Sequence, residues 1–201
     1  MNSKKLQVPN SKPARRQKGA TLIEALVSIL LLSLGLLGVA GLQLNALAYQ
    51  KSSWATHRIA EVTNDIAERI KANPAGATNG NYVYTNTYAN ATSATITSNN
   101  CKTSGAACTT AQIANDDLSD WLGKAQAALP GGAVRLEGAS TTGIVATAMY
   151  FDKEFVDPVT ATPVASTPCT SALTGLDWRN CCPSAASVPN GVRCSRANII
   201  P

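Results

Sequence analysis

The chain has 201 residues, with 17 Lys and Arg, 12 Asp and Glu and a single His, for a formal charge of +5. Six of the cations (Lys4, Lys5, Lys12, Arg15, Arg16 and Lys18) precede Gly19 with no acid among them, so the rest of the chain carries 11 cations against 12 acids. The basic balance is therefore a local leader charge and no sign of nucleic-acid binding, and the length fits one globular domain plus an anchor.

The stretch from Gly19 to Gln50 is apolar and holds one charge, Glu24. From Ala25 onward it is long enough to span a bilayer, which takes about 20 apolar residues as a helix. An acid in lipid costs roughly 2.5–3.5 kcal/mol at a helix centre and less near an interface, so Glu24 calls for a function and a partner. The positive-inside bias places residues 1–19 in the cytoplasm and the body outside it.

The residues Lys18-Gly19-Ala20-Thr21-Leu22-Ile23-Glu24-Ala25-Leu26-Val27 resemble the processing site of type IV prepilins and their pseudopilin relatives. That resemblance implies a prepilin peptidase that cuts between Gly19 and Ala20, methylates the new Ala20 N-terminus and leaves the helix attached. Ala20 stands where major pilins usually carry Phe; minor pilins are looser there. Two other readings stay open. One is a signal peptide cleaved after Ala46-Leu47-Ala48, before Tyr49, although its apolar core exceeds the usual 7–15 residues. The other is a plain single-span anchor, in which Glu24 has no purpose.

Beyond Lys51 the residues Ala55, Ile59, Val62, Ile66 and Ile70 recur at spacings of three and four, the stripe of an amphipathic helix. Arg58, Glu61, Asp65, Glu68 and Arg69 occupy its other faces, and Asn73-Pro74 with Gly76 ends it. The expected helix runs from Ala20 to about Ala72. Gly35, Gly38 and Gly41 interrupt its apolar half; they are either close-approach points for neighbouring helices or the ordinary glycine of membrane helices. In pilins this region loosens as subunits pack.

Residues 77–109 are rich in Asn, Thr, Ser, Gly and Ala and read as loop, with a weak strand signal at Tyr82-Val83-Tyr84. A second helix is predicted from Thr110 to Ala128, capped by Thr109 or Thr110 and stopped by Pro130-Gly131-Gly132. Asp116, Asp117 and Asp120 read as its exposed face. Strands are predicted at Ala133–Glu137 and Gly143–Phe151. The order is similar to that of PilV-type minor pilins: a cysteine ahead of Thr110-Ala111-Gln112-Ile113, an Asp117-to-Trp121 helix, then Leu129-Pro130-Gly131-Gly132 and a strand. The Pro/Thr/Ser-rich tail from Val156 carries no assignment.

All six cysteines (Cys101, Cys108, Cys169, Cys181, Cys182 and Cys194) follow the anchor, which in an oxidising compartment reads as disulfides. Cys101 and Cys108 close a short loop. Cys181 and Cys182 are too close in sequence to pair with each other and reach instead toward Cys169 and Cys194. With one His and no Cys-x-x-Cys, a metal site is not expected. His57 stands alone on a helix, no phosphate loop follows a strand, and no Ser/His/Asp set exists. The chain is read as a non-enzyme without cofactors.

The reading is thus an α+β, type IV pilin-like fold in three parts: leader 1–19, long helix 20–73 (membrane-spanning to about 50) and head 74–201. The helix is expected to pack on a small antiparallel sheet with disulfide-clasped loops. The resemblance implies a minor pilin of the inner membrane and then of the pilus. Its partners would be the prepilin peptidase, other major and minor pilins, the inner-membrane assembly machinery and the bilayer. Glu24 would pair with the charged N-terminus of a neighbouring subunit. A type II secretion pseudopilin and a tip-located adhesin-like module are the alternatives.

Overall fold

The computed structural model describes residues 21–103 and 107–201, so the leader, Gly19 and Ala20 lie outside the described residues. The chain divides into two compact units, residues 1–50 and 51–201, and helix α1 (Leu22–Ala72) supplies residues to each. In the first unit, Leu22–Leu47 makes 26 residues of mean hydropathy 2.5, long and apolar enough to cross a membrane. Leucine dominates it and proline is absent, which suits a continuous helix.

In the second unit, the stripe of α1 is buried at Ile59, Val62, Ile66 and Ile70. The helix stops at Ala72, as Asn73-Pro74 predicts, but one short turn restarts as α2 (Pro74–Thr78). Pro74 sits at its first position, where a missing N–H costs nothing. Asn73 Oδ1 accepts from Gly76 N at 3.1 Å while its Nδ2 donates to Thr110 O at 2.8 Å, tying this corner to the next long helix.

The segment read as loop holds a further short helix, α3 (Tyr88–Ser93), capped by Thr87. Tyr84 makes one antiparallel bridge, to Leu136, and no full strand. Helix α4 (Thr110–Ala128) has the predicted bounds and a reciprocal capping box: Gln112 N donates to Thr109 Oγ1, and Thr109 N to Gln112 Oε1.

A three-stranded antiparallel sheet in the order β1 (Ala133–Ala139), β2 (Gly143–Phe151), β3 (Val192–Ile199) completes the architecture. The first strand runs two residues past the predicted Glu137. At the hairpin, Gly138 has φ +110°, and a Cβ there would stand 2.3 Å from the Gly143 carbonyl oxygen, so only glycine fits. The third strand lies in the tail that carried no assignment, together with α5 (Gly175–Asn180) and a 3₁₀ turn at Ser184–Ala186.

Period-two alternation gives the sheet two buried faces. Val134, Leu136, Ile144, Ala146 and Ile199 join Val62, Ile66 and Ile70 of α1 and Leu118, Trp121 and Leu122 of α4 in the main core. The indole N–H of Trp121 donates to the Val62 carbonyl at 2.8 Å, so the largest core side chain is fully buried with its polar atom paired. The opposite face packs Ala133, Met149, Val192 and Cys194 against Tyr88 and Ala91.

Three disulfides staple the irregular chain: Cys101–Cys108, Cys169–Cys181 and Cys182–Cys194, with Cα separations of 5.8, 4.9 and 5.2 Å. The adjacent Cys181 and Cys182 thus point into different bridges. One fastens the 169–181 segment to itself, and the other fastens it to β3.

Truncating Ile66, which is fully buried, leaves a cavity worth about 2–5 kcal/mol. Ile66→Ala is expected to lower the melting temperature of the detergent-solubilised chain by several degrees, measured by circular dichroism. Glu68→Ala, at an exposed position of the same helix, should leave it unchanged.

Candidate functional site

Glu24 lies in the first turn of α1, where a carboxylate complements the positive end of the helix dipole. Its N–H donates to Thr21 O at 3.0 Å and its carbonyl accepts the Ser28 hydroxyl at 2.7 Å. Among the described residues no side chain pairs with its carboxylate, which is exposed. The surrounding apolar side chains are uncovered too: Leu22 is 86% exposed and Leu42 71%. At about 25 cal/mol per Å², such a surface is not stable in water and needs lipid or other helices around it. A Cβ placed on Gly35, Gly38 or Gly41 meets nothing within 4 Å, so these glycines leave room for a neighbour.

Among its described residues the head offers no comparable reactive centre. His57 is exposed, every described cysteine is in a disulfide, and no metal-holding group of three His, Cys, Asp or Glu occurs among the described residues.

The three aspartates of α4 overturn the expectation of an exposed face. Asp116 is only 3% exposed and holds the preceding loop: its Oδ1 accepts from Ser98 Oγ at 3.0 Å and from Asn99 N, and its Oδ2 from Cys101 N at 2.7 Å. Burial alone would raise its pKa, but these donors outweigh it and hold the carboxyl below its ordinary value. Asp117 accepts Tyr82 Oη at 2.6 Å and Arg69 Nη1 at 2.9 Å, and Asp120 meets Arg69 and Lys102. Asp65 closes the network, bonded to Arg69 at 2.9 Å and Lys124 at 2.6 Å; against its desolvation these cations depress its pKa. Burial, and then the Asp117 carboxylate, raise the pKa of the Tyr82 hydroxyl. This cluster joins α1 to α4 and to the Cys101–Cys108 loop. It is a clasp rather than a catalytic site. Most of it leaves no signal in the sequence: apart from the Asp65–Arg69 pair, four residues apart on one helix, each partner lies 15 or more residues away.

Two grooves remain. One of about 510 Å³ runs between α1 (Thr56, Thr63, Asn64) and the β3–α5 region, where Arg179, Arg193 and Arg196 line it. The other, about 400 Å³, lies between Trp54, Arg58 and Asp65 of α1 and Lys124 and Ala128 of α4.

Residues 14–40 match the family model of the prokaryotic N-terminal methylation motif, and residues 41–119 match that of type IV pilin Tt1218. No curated protein and no solved structure matches the chain. The chain therefore carries a methylation motif followed by a segment similar to type IV pilin Tt1218, and its α+β fold is pilin-like.

Because Asp65 and Asp116 titrate below the ordinary Asp range, near 3.9, their stabilisation is complete above that value and is lost as pH falls through the lower folded-state pKa values. The melting temperature should hold from pH 7 to about 5 and drop below about 4. Asp116→Asn should lower it at pH 7 and flatten the acid limb; a wild-type midpoint unchanged down to pH 2 would contradict the assignment.

Proposed function

We propose that this chain is a minor pilin, made as a prepilin and built into a type IV pilus. The observation that carries this reading is Glu24: one carboxylate in the first turn of a long uncovered apolar helix, inside a segment matching the methylation motif. The leader stays in the cytoplasm and residues beyond about 50 lie outside. A prepilin peptidase cuts between Gly19 and Ala20 and methylates Ala20, and the bilayer then stores the subunit until the inner-membrane machinery lifts it.

Glu24 supplies the assembly step. The charged amine of a neighbouring subunit's N-terminus is the complement for a carboxylate that has no other partner in lipid. At 4 Å two unit charges attract by about 4 kcal/mol at an effective dielectric of 20, and pairing removes two unsatisfied charges at once. Because the charge-assisted hydrogen bond of the pair needs close, aligned contact, it fixes the axial register between subunits. The apolar surface of Leu22–Leu47 supplies adhesion, and Glu24 supplies position.

A pseudopilin of a type II secretion system would share the processing motif and the helix. Loss of surface pili on deletion, with secretion intact, supports the pilus assignment; the reverse assigns the chain to secretion. In an adhesin-like module, removing part of the 77–109 segment would abolish attachment and leave piliation intact.

Glu24→Ala is expected to leave the head folded and membrane levels normal while cutting recovery in sheared fibres at least tenfold, read by immunoblot. Glu24→Asp, with the charge kept on a shorter arm, should recover in part. Normal incorporation of Glu24→Ala would remove the charge-pairing step from the account.

A further inference from the structure

A row of buried polar side chains crosses the sheet face away from α1. Arg135 stands opposite Thr147 and Thr147 opposite Arg196, so the three share one face with Cβ atoms about 5 Å apart between neighbours. The Arg135 and Arg196 side chains are 7% and 10% exposed, and Thr147 is fully buried.

The charges in this row do not balance. Glu137, the next residue on the same face of β1, is the one carboxylate among the described residues that stands within 4 Å of both guanidinium groups. Its Oε2 accepts from Arg135 Nε at 3.0 Å, whereas its Oε1 stands 3.8 Å from Arg196 Nη2, beyond hydrogen-bond reach. Arg135 finds a further acceptor in Asn86 O at 3.2 Å. Arg196 Nη1 meets only the Cys169 and Cys181 sulfurs, each at 3.2 Å, and sulfur is a weak acceptor. Its guanidinium carbon lies 4.6 Å from the Trp178 ring centroid, which covers one side.

Two donors are left over on residues paired across β2 and β3. Arg196 Nε and Thr147 Oγ1 are buried without a hydrogen-bond partner. A buried unpaired donor is costly, and a buried excess cation more so. The two orphans and the surplus charge have one common remedy, a small anion. Arg196 also lines the 510 Å³ groove at the β3–α5 border.

We propose that the Arg135–Thr147–Arg196 row is a binding site for a small monovalent anion of chloride or formate size. Arg196 Nε and the Thr147 hydroxyl donate to it, and its charge balances the cation that Glu137 leaves over. The site is independent of the pilin reading, since it rests on the head alone.

The test titrates the full chain in nonionic detergent with sodium chloride or sodium formate, using sodium gluconate as a bulky control at equal ionic strength. Chloride and formate should raise the melting temperature with the logarithm of their concentration and shift the Arg196 Nε–H resonance saturably; gluconate should do neither. Thr147→Val removes the hydroxyl at nearly constant volume. It should keep the gluconate midpoint unchanged or raise it, while losing most of the chloride response. Arg196→Lys, which lacks the Nε–H fork, should weaken chloride binding about tenfold. Equal responses to chloride and gluconate, or a full chloride response in Thr147→Val, would overturn the proposal and leave the row to water.

Discussion

The head depends on the contact between the stripe of α1 and Trp121 of α4. Val62, Ile66 and Ile70 bury one helix face against the indole, whose N–H finds the Val62 carbonyl, and the inner face of the sheet closes over both. Hydrophobic burial supplies the drive, and the indole hydrogen bond selects one rotation of α4 against α1. Around it the Asp65–Arg69–Asp117–Asp120 cluster and the Asp116 loop anchor add charged contacts that hold the same pair of helices. The polar clasp thus reinforces an arrangement that packing already specifies.

A different constraint governs the N-terminal half of α1. There the helix is apolar on every side and uncovered, and one carboxylate breaks the pattern. The head buries most of its large apolar side chains, with Val159, Leu176 and Ile200 among those left exposed, whereas Leu22–Leu47 leaves its own uncovered. That contrast underlies the proposal that this chain is a subunit awaiting lipid and neighbours.

Much of the fold was legible because it is local. The spacing of Ile59, Val62, Ile66 and Ile70, the cap at Thr109 and the breakers Pro74 and Pro130 are signals contained within a few residues, and α1, α4, β1 and β2 follow them closely. What escaped is non-local. The strand Val192–Ile199 reads Val-Arg-Cys-Ser-Arg-Ala-Asn-Ile, with little apolar alternation, and is held by its register with β2 and the Cys182–Cys194 bridge. Asp116 looked solvated beside Asp117 because its acceptor role depends on a loop folded back from residues 98–101. Helix α3 is six residues long and owes its place to Tyr88 and Ala91 packing on the second core, not to propensity.

The central claim, that the mature chain is a processed pilin, is tested most directly by the intact mass and N-terminal sequence of the protein recovered from membranes and sheared fibres. The account predicts a chain beginning at Ala20 and carrying one added methyl group. A chain beginning at Tyr49, or one still carrying its leader, would contradict it and remove the basis for an assembly role of Glu24.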